Sequence, residues 1–253
     1  YLEFKARAIV AESHNYVEDA ELNNKHADKY INTWVKDIKR KTVAWYLNND
    51  EGKLPLSNFI KEINTDLSKS IFYHGLENIP KEDGFIMYPN HQGMYDALAM
   101  IDSCPKPFSL VYKIELKDIP FLKQIAKCMK AFFIDRDDVR QSMKVIMAVS
   151  KEIEKGRNYT IFPEGTRSKN GNKLGEFKGG SFKAATKVKC PIVPVALIDS
   201  FKPFDSHSLK PVEVQVHYLK PLYYDEYKDM KTTEIAEEVQ RRIEKVIKEN
   251  KKD

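Results

Sequence analysis

Cysteine is scarce in this chain, and long apolar runs are missing. Cys104, Cys128 and Cys190 are the only cysteines among 253 residues, and they lie far apart. An odd number at such spacing argues against a disulfide framework and a zinc knuckle, and it favours a reducing compartment. No signal-peptide pattern is present, and no uncharged apolar stretch approaches the roughly 18 residues that cross a bilayer. Because the first residue is Tyr1 and not methionine, we expect a spanning helix only if one was removed ahead of it.

Several motifs that would indicate a nucleophilic serine, a nucleotide-binding loop or a metal site are also missing. Gly180-Ser181-Phe182 lacks the second glycine of a hydrolase nucleophile elbow. Phe177-Lys-Gly-Gly180 precedes a predicted helix whose free N–H groups are suited to an anion, but it lacks the Gly-Lys-Ser/Thr ending of a nucleotide-binding loop. The six histidines and three cysteines show no metal-ligand spacing, so no metal is expected.

Charge of one sign does not dominate the sequence. The chain has 42 lysines and arginines against 37 aspartates and glutamates, a net charge of +5. This mild positive net charge suits an anionic substrate or an anionic membrane surface, but it is smaller than the positive charge typical of nucleic-acid-binding domains. We therefore expect no nucleic-acid partner.

Residues 1 to 68 show helical patterns without strand alternation. One helical stripe, within about 120° on a helical wheel, carries both tryptophans of the chain and consists of Ile31, Trp34, Val35, Ile38, Thr42, Trp45 and Tyr46. Lysine and arginine occupy the opposite face, a composition typical of helices that lie in a membrane interface. We predict that residues 1–68 are a membrane-docking segment with Trp34, Ile38 and Trp45 at headgroup depth. The alternative is that the stripe packs on the main domain.

From about Ile71 the pattern changes to short apolar runs alternating with helical segments. Strands are predicted at 71–73, 84–89, 108–112, 131–134, 159–162, 192–197 and 212–218. Helices are predicted at 95–103, 120–130, 139–155, 180–189 and 232–250. This alternation predicts an α/β domain over residues 69–253, with a largely parallel, mixed sheet flanked by helices.

The first predicted strand end that carries chemistry is Asn90-His91-Gln-Gly-Met-Tyr-Asp96. Imidazole titrates near neutrality, and a carboxylate bonded to one ring nitrogen prepares the other to accept a proton. Residues five apart on one helix diverge by about 140°, so we expect His91 on the loop and Asp96 on the following helix. The alternative is a structural histidine beside a helix N-terminus.

Cations follow three further strands, at Lys113, Arg136 and Arg167. Sites gather at the carboxyl ends of strands in open α/β sheets, and a guanidinium matches two phosphate oxygens. These three residues are therefore candidate anion ligands. The alternative for each is a surface ion pair, for Arg136 with a neighbouring aspartate. Glu164 before Gly165 lets backbone approach a ligand or orients Arg167, and its alternative is a plain turn residue.

Four segments together resemble, in order, the conserved blocks of the glycerolipid acyltransferase family. They are Asn90-His91-Gln-Gly-Met-Tyr-Asp96, Phe133-Ile-Asp-Arg136, Phe162-Pro-Glu-Gly-Thr-Arg167-Ser168 and Pro191-Ile-Val-Pro-Val195. The resemblance covers about residues 70 to 200. It implies transfer of a fatty acyl group from an acyl-CoA or acyl carrier protein thioester to the sn-2 hydroxyl of lysophosphatidic acid, giving phosphatidic acid. The donor is a substrate, and no cofactor is implied.

The resemblance also assigns roles to residues. His91 would deprotonate the hydroxyl, and Asp96 would orient His91. The acceptor's phosphate would be held in a pocket formed by Lys113, Arg136, Glu164, Gly165, Thr166 and Arg167. Such an enzyme would work at the cytoplasmic face of the membrane, peripheral or monotopic. The alternatives are another acceptor, such as glycerol-3-phosphate or a lysolipid, a thioester hydrolase in which His91 activates water, and a catalytically silent lipid-binding module.

Overall fold

The computed structural model describes residues 70–118, 123, 126–127, 129–205 and 212–251. The predicted docking segment, with Trp34, Ile38 and Trp45, lies outside these residues. So does most of the predicted helix 120–130. Within the described part of the chain, no helix is both long enough and apolar enough to span a bilayer.

The described residues form a mixed sheet of seven strands. These are β1 (Ser70–His74), β2 (Ile86–Pro89), β3 (Ser109–Lys113), β4 (Phe132–Ile134), β5 (Tyr159–Thr160), β6 (Ile192–Ile198) and β7 (Glu213–Tyr218), in the spatial order β1-β7-β6-β2-β5-β3-β4. The five strands from β6 to β4 are mutually parallel. β7 runs antiparallel to β6, and β1 is parallel to β7. The predicted largely parallel, mixed sheet is confirmed.

Among the described residues, the helices predicted at 95–103, 139–155 and 232–250 are present to within one residue of those bounds, together with two short helices that were not predicted. The helices are α1 (Asp96–Ser103), α2 (Val139–Glu154), α3 (Lys183–Val188), α4 (Lys202–Asp205), α5 (Tyr224–Tyr227) and α6 (Thr232–Asn250). Short 3₁₀ segments occupy Leu76–Asn78, Ile114–Asp118 and Gly179–Phe182. The predicted helix 180–189 is therefore split into a 3₁₀ turn and α3. Two adjacent glycines and the Ser181 hydroxyl, which donates to the Lys178 carbonyl at 2.7 Å, favour the tighter turn.

Strand β2 shows how the sheet is buried on both faces. Ile86 and Tyr88 belong to one apolar cluster, which contains Val149 of α2. Met87, between them in sequence, belongs to the cluster on the other face, which contains Met100 of α1. Alternate side chains of a strand point to opposite faces, so helices on both sides leave β2 without a solvent-facing side.

Helix α6 closes one face and also reaches the loop that follows β5. Its buried stripe of Ile235, Ala236, Val239, Ile243 and Ile247 has helical spacing and packs into the main cluster. From the same helix, the Gln240 side-chain oxygen accepts a hydrogen bond from the Phe177 backbone N–H at 3.0 Å. The helix therefore restrains a segment that contributes to the candidate site.

Replacing Ile243 by Ala should destabilise the fold, because this side chain is fully buried. Loss of its methyl groups with partial cavity formation should cost about 3 kcal/mol and lower Tm by roughly 6 to 12 °C. Thermal unfolding followed by circular dichroism measures this. Lys245→Ala, two residues away at a side chain that is 68% exposed, should leave Tm nearly unchanged. An equal change in both variants would contradict the assigned orientation of α6.

Candidate active site

His91 and Asp96 form a hydrogen-bonded pair at the carboxyl end of β2. His91 lies on the loop and Asp96 is the first residue of α1, as predicted from their spacing. The Nδ1 of His91 is 2.6 Å from Oδ2 of Asp96. An ionised carboxylate only accepts hydrogen bonds, so Nδ1 is the donor, and in the neutral imidazole this leaves the lone pair on Nε2. The pair has the arrangement of a general base with its orienting carboxylate.

The loop wraps closely around the carboxylate. Oδ2 of Asp96 also accepts hydrogen bonds from the backbone N–H groups of Gln92, at 2.7 Å, and Gly93, at 3.0 Å. The Asp96 side chain is 1% exposed, whereas that of His91 is 18% exposed. The carboxylate is therefore enclosed, and the imidazole keeps access to solvent or substrate.

The segment after β5 holds His91 from the other side. Glu164 Oε1 accepts from the His91 backbone N–H at 2.7 Å, and the Ser168 N–H donates to the His91 carbonyl at 2.7 Å. The imidazole packs on the ring of Phe162, with 4.2 Å between ring centroids. Both main-chain groups and one ring face of His91 are therefore in contact with one neighbouring segment.

Glu164 joins two loops through its carboxylate. Its Oε2 accepts from the Gly175 backbone N–H at 2.8 Å, while Oε1 accepts from His91. Burial raises the pKa of Glu164, and the two backbone donors oppose that shift. Glu164 was predicted to help form a phosphate pocket; in the structure its carboxylate contacts backbone amides and supports the loop that carries His91.

A cavity of about 330 Å³ opens beside this pair. Apolar side chains form most of its wall: Val111, Ile134, Val139, Met143, Ile146, Ile161, Phe162 and Pro163. The remaining lining is polar or glycine: Arg136, Ser142, Gly165, Lys178, Gly180, Ser181 and Lys183. Phe162 belongs both to this wall and to the ring contact with His91, so the imidazole packs against a residue of the cavity wall.

Arg136 contributes a half-buried guanidinium to the cavity. Its aspartate neighbours bond to backbone amides, since Asp135 accepts from the Asp137 N–H and Asp138 caps the first turn of α2. Burial lowers the pKa of Arg136, and the nearby negative charge of Glu115 opposes that shift. A guanidinium that has lost part of its hydration is a strong ligand for an anion that enters the cavity.

Lys178 and Lys183 were not identified as candidate ligands from the sequence. The Lys178 amine would lie 3.4 Å from a Cβ placed on Gly165, whose φ of +73° also favours glycine. Both lysines line the cavity with Arg136. Lys178 lies in the segment 177–180, just before a predicted helix N-terminus suited to an anion, and this was the available signal; Lys183 is the first residue of α3.

The remaining predicted residues are more peripheral. Lys113, at the end of β3, forms an exposed ion pair with Glu115. Thr166 and Arg167 are exposed and are not among the residues that line the cavity. The structure thus brings His91, Asp96, Glu164, Gly165 and Arg136 to one sheet edge, whereas the other three predicted residues are exposed and outside the cavity lining.

The cysteines of the described residues do not offer a nucleophile. Cys104 and Cys190 are both buried. Burial raises the pKa of the Cys104 thiol to about 11 and that of the Cys190 thiol to about 12. Neither is a thiolate at neutral pH, so these two positions offer no thiolate nucleophile.

The chain matches known acyltransferases over most of the described domain. Residues 70–198 match the family model described as Acyltransferase. A 1-acyl-sn-glycerol-3-phosphate acyltransferase of Borreliella burgdorferi is 32% identical over 182 residues, 70% of this chain and 72% of that protein. The chloroplastic enzyme BAT2 of Brassica napus, with the same activity in its name, is 31% identical over 69% of this chain and 52% of its own length.

The fold also has a solved counterpart. The crystal structure of the 1-acyl-sn-glycerophosphate acyltransferase PlsC of Thermotoga maritima superposes with a TM-score of 0.68 at 21% sequence identity, covering 100% of this chain and 95% of that one. At that identity the likeness speaks for the fold alone. The family match spans half of the chain and includes the His91–Asp96 pair and the Arg136 strand end. The chain belongs to the acyltransferase family of enzymes.

Proposed function

We propose that this protein transfers a fatty acyl group from a thioester to the sn-2 hydroxyl of 1-acyl-sn-glycerol-3-phosphate, giving phosphatidic acid. The observation that carries the proposal is the position of the His91–Asp96 pair beside a cavity that is apolar in its walls and contains Arg136. A lysophosphatidate has both an acyl chain and a phosphate. The names of both relatives specify 1-acyl-sn-glycerol-3-phosphate and support this acceptor.

In the proposed reaction, His91 acts as the general base. Nε2 takes the proton of the acceptor hydroxyl while the hydroxyl oxygen forms a bond to the thioester carbonyl carbon. The tetrahedral intermediate then breaks its carbon–sulfur bond, and the imidazolium returns the proton to the leaving thiolate. The products are phosphatidic acid and a free thiol. Asp96 stabilises the imidazolium between these two steps.

The acceptor's phosphate is placed against Arg136, with Lys178 and Lys183 adding positive charge. All three residues line the same cavity, and Arg136 has already lost part of its hydration through burial. A charge-assisted, two-pronged contact would orient the glycerol so that its free hydroxyl meets His91. Lys113 and Arg167 would attract the anionic head group from the rim.

The donor is acyl-CoA or acyl carrier protein, and the lipid acceptor is reached from a membrane surface. No cofactor enters the proposed reaction. We propose that residues 1–68 dock the domain on anionic lipid at the cytoplasmic face of the membrane through Trp34, Ile38 and Trp45. This would bring an insoluble acceptor to the catalytic edge of the sheet.

His91→Ala should abolish acceptor-dependent thiol release. Removal of a general base lowers kcat by about 10² to 10⁴-fold. Thiol release from palmitoyl-CoA and from palmitoyl acyl carrier protein, with and without lysophosphatidic acid, measures this and identifies the donor. His74→Ala, at an exposed histidine of edge strand β1, should remain active. Release that does not depend on the acceptor would indicate a hydrolase, and full activity of a folded His91→Ala protein would refute the base assignment.

Arg136→Met should impair use of a phosphate-bearing acceptor far more than use of a neutral one. Loss of a charge-assisted contact should lower kcat/KM for lysophosphatidic acid by about 10- to 100-fold. The same assay with 1-monoacylglycerol, which lacks the phosphate, should show little difference between variant and wild type. Arg140→Met, an exposed arginine at the start of α2, serves as the control. Equal losses with both acceptors would show that Arg136 does not bind the phosphate.

Replacing Trp34 and Trp45 by Ala should weaken binding to anionic vesicles. Each ring contributes apolar area at headgroup depth, so co-sedimentation with phosphatidylglycerol vesicles should fall while activity on micellar acceptor changes less. Tyr223→Ala removes a ring that is 50% exposed on the α/β domain and should leave binding intact. Unchanged co-sedimentation of the tryptophan variant would mean that the stripe packs on protein.

A further inference from the structure

The second oxygen of Asp96 has a partner from a distant part of the chain. Ser200 lies two residues beyond β6, and its hydroxyl is 2.5 Å from Oδ1 of Asp96. Ser200 is fully buried. Oδ2 of the same carboxylate is occupied by His91 and by two backbone amides. Each carboxylate oxygen is therefore assigned to a different set of donors.

The hydroxyl proton of Ser200 goes to the carboxylate. The Ser200 oxygen also lies 2.9 Å from Oε1 of Gln92, but a hydroxyl has only one proton to donate. The shorter contact, to an ionised oxygen, is the stronger one. The Gln92 oxygen is satisfied instead by the Ser200 backbone N–H at 2.9 Å.

The surrounding segments hold Ser200 in this place. Gln92 donates to Asn172 at 2.7 Å, and Asn172 exchanges two hydrogen bonds of 2.9 Å with Asp199. Asp199 has a φ of +62°, in the left-handed region that non-glycine residues rarely occupy. That conformation turns the chain at the end of β6, immediately before Ser200. Backbone strain of this kind persists only where surrounding contacts enforce it.

We propose that Ser200 is a positioning residue for acyl transfer. The last torsion of an aspartate side chain is soft, and rotation about it moves both oxygens together, so a donor on Oδ1 also restrains Oδ2. The Ser200 hydroxyl holds Oδ1, which keeps Oδ2 in line with Nδ1 of His91 and the imidazole in its attack orientation. Ser200 acts through Asp96 and does not touch substrate. This inference rests on the proposed role of His91 as the general base.

Ser200→Ala should lower kcat about tenfold, because that is the usual effect of losing one hydrogen bond to a charged group. KM for both substrates should stay within about twofold of the wild-type value. The second readout does not require activity. The Nδ1 proton of His91, in a short hydrogen bond to a carboxylate, should resonate far downfield in histidine-labelled protein, and Ser200→Ala should shift that resonance. Ser200→Cys, of similar volume and with a weaker donor, should show an intermediate loss and an intermediate shift.

Ser150→Ala is the matched control. Ser150 is also fully buried, and its hydroxyl donates to the Ile146 carbonyl within α2 at 3.0 Å. It should show the thermal destabilisation of a lost buried hydroxyl without the fall in kcat or the shifted resonance. An unmoved resonance in a folded Ser200→Ala or Ser200→Cys protein, or an equal loss of kcat in Ser150→Ala, would overturn the positioning role. If Ser200→Ala shifts the resonance but the wild-type protein shows no acyl transfer, the proposed function is refuted and the contact between Ser200 and Asp96 stands.

Discussion

The rest of the site depends on the buried carboxylate of Asp96. A buried charge is costly unless hydrogen bonds replace its hydration. Here the donors come from the His91 ring, from the backbone of the following loop and from Ser200, at the end of another strand. Because the charge needs all of these donors, it imposes one arrangement on the loop after β2 and on the segment after β6. The imidazole of His91 is oriented as a consequence.

A second buried carboxylate extends that constraint across the sheet. Glu164 receives backbone donors from His91 and from Gly175, so the segment after β5 is tied both to the loop that carries His91 and to the loop before Lys178. Gln240 of α6 holds the same loop at Phe177. The parallel strands bring these segments together at one edge, and the two acidic side chains connect them there. These connected segments also contribute Phe162, Pro163, Gly165 and Lys178 to the wall of the cavity.

Most secondary-structure elements were predictable because their signals are local. The period of apolar residues gives the bounds of α6 over residues 232–250 as observed, and the short apolar runs correspond to the seven strands of the described residues. The predicted helix 180–189 is correct for Lys183–Val188 and wrong for its first turn, where a glycine pair and a serine that bonds to the Lys178 carbonyl favour a 3₁₀ turn. Helical periodicity reports the spacing of apolar residues, so it cannot show where local hydrogen bonds favour a 3₁₀ turn over an α-helix.

The sequence by itself determined the chemical inventory: a histidine and an aspartate five residues apart, arginines at strand ends, and a family pattern that joins them. It could not show that Ser200, 104 residues from Asp96, completes the carboxylate's hydrogen bonds. Nor could it show that Lys178 and Lys183 share a cavity with Arg136. Those contacts depend on strand order, since β2, β5 and β6 are neighbours in space but distant in the chain. Sequence patterns report local periodicity. The hydrogen-bond partners of a buried charge depend instead on the tertiary structure, which determines which strand ends lie within hydrogen-bonding distance of one another.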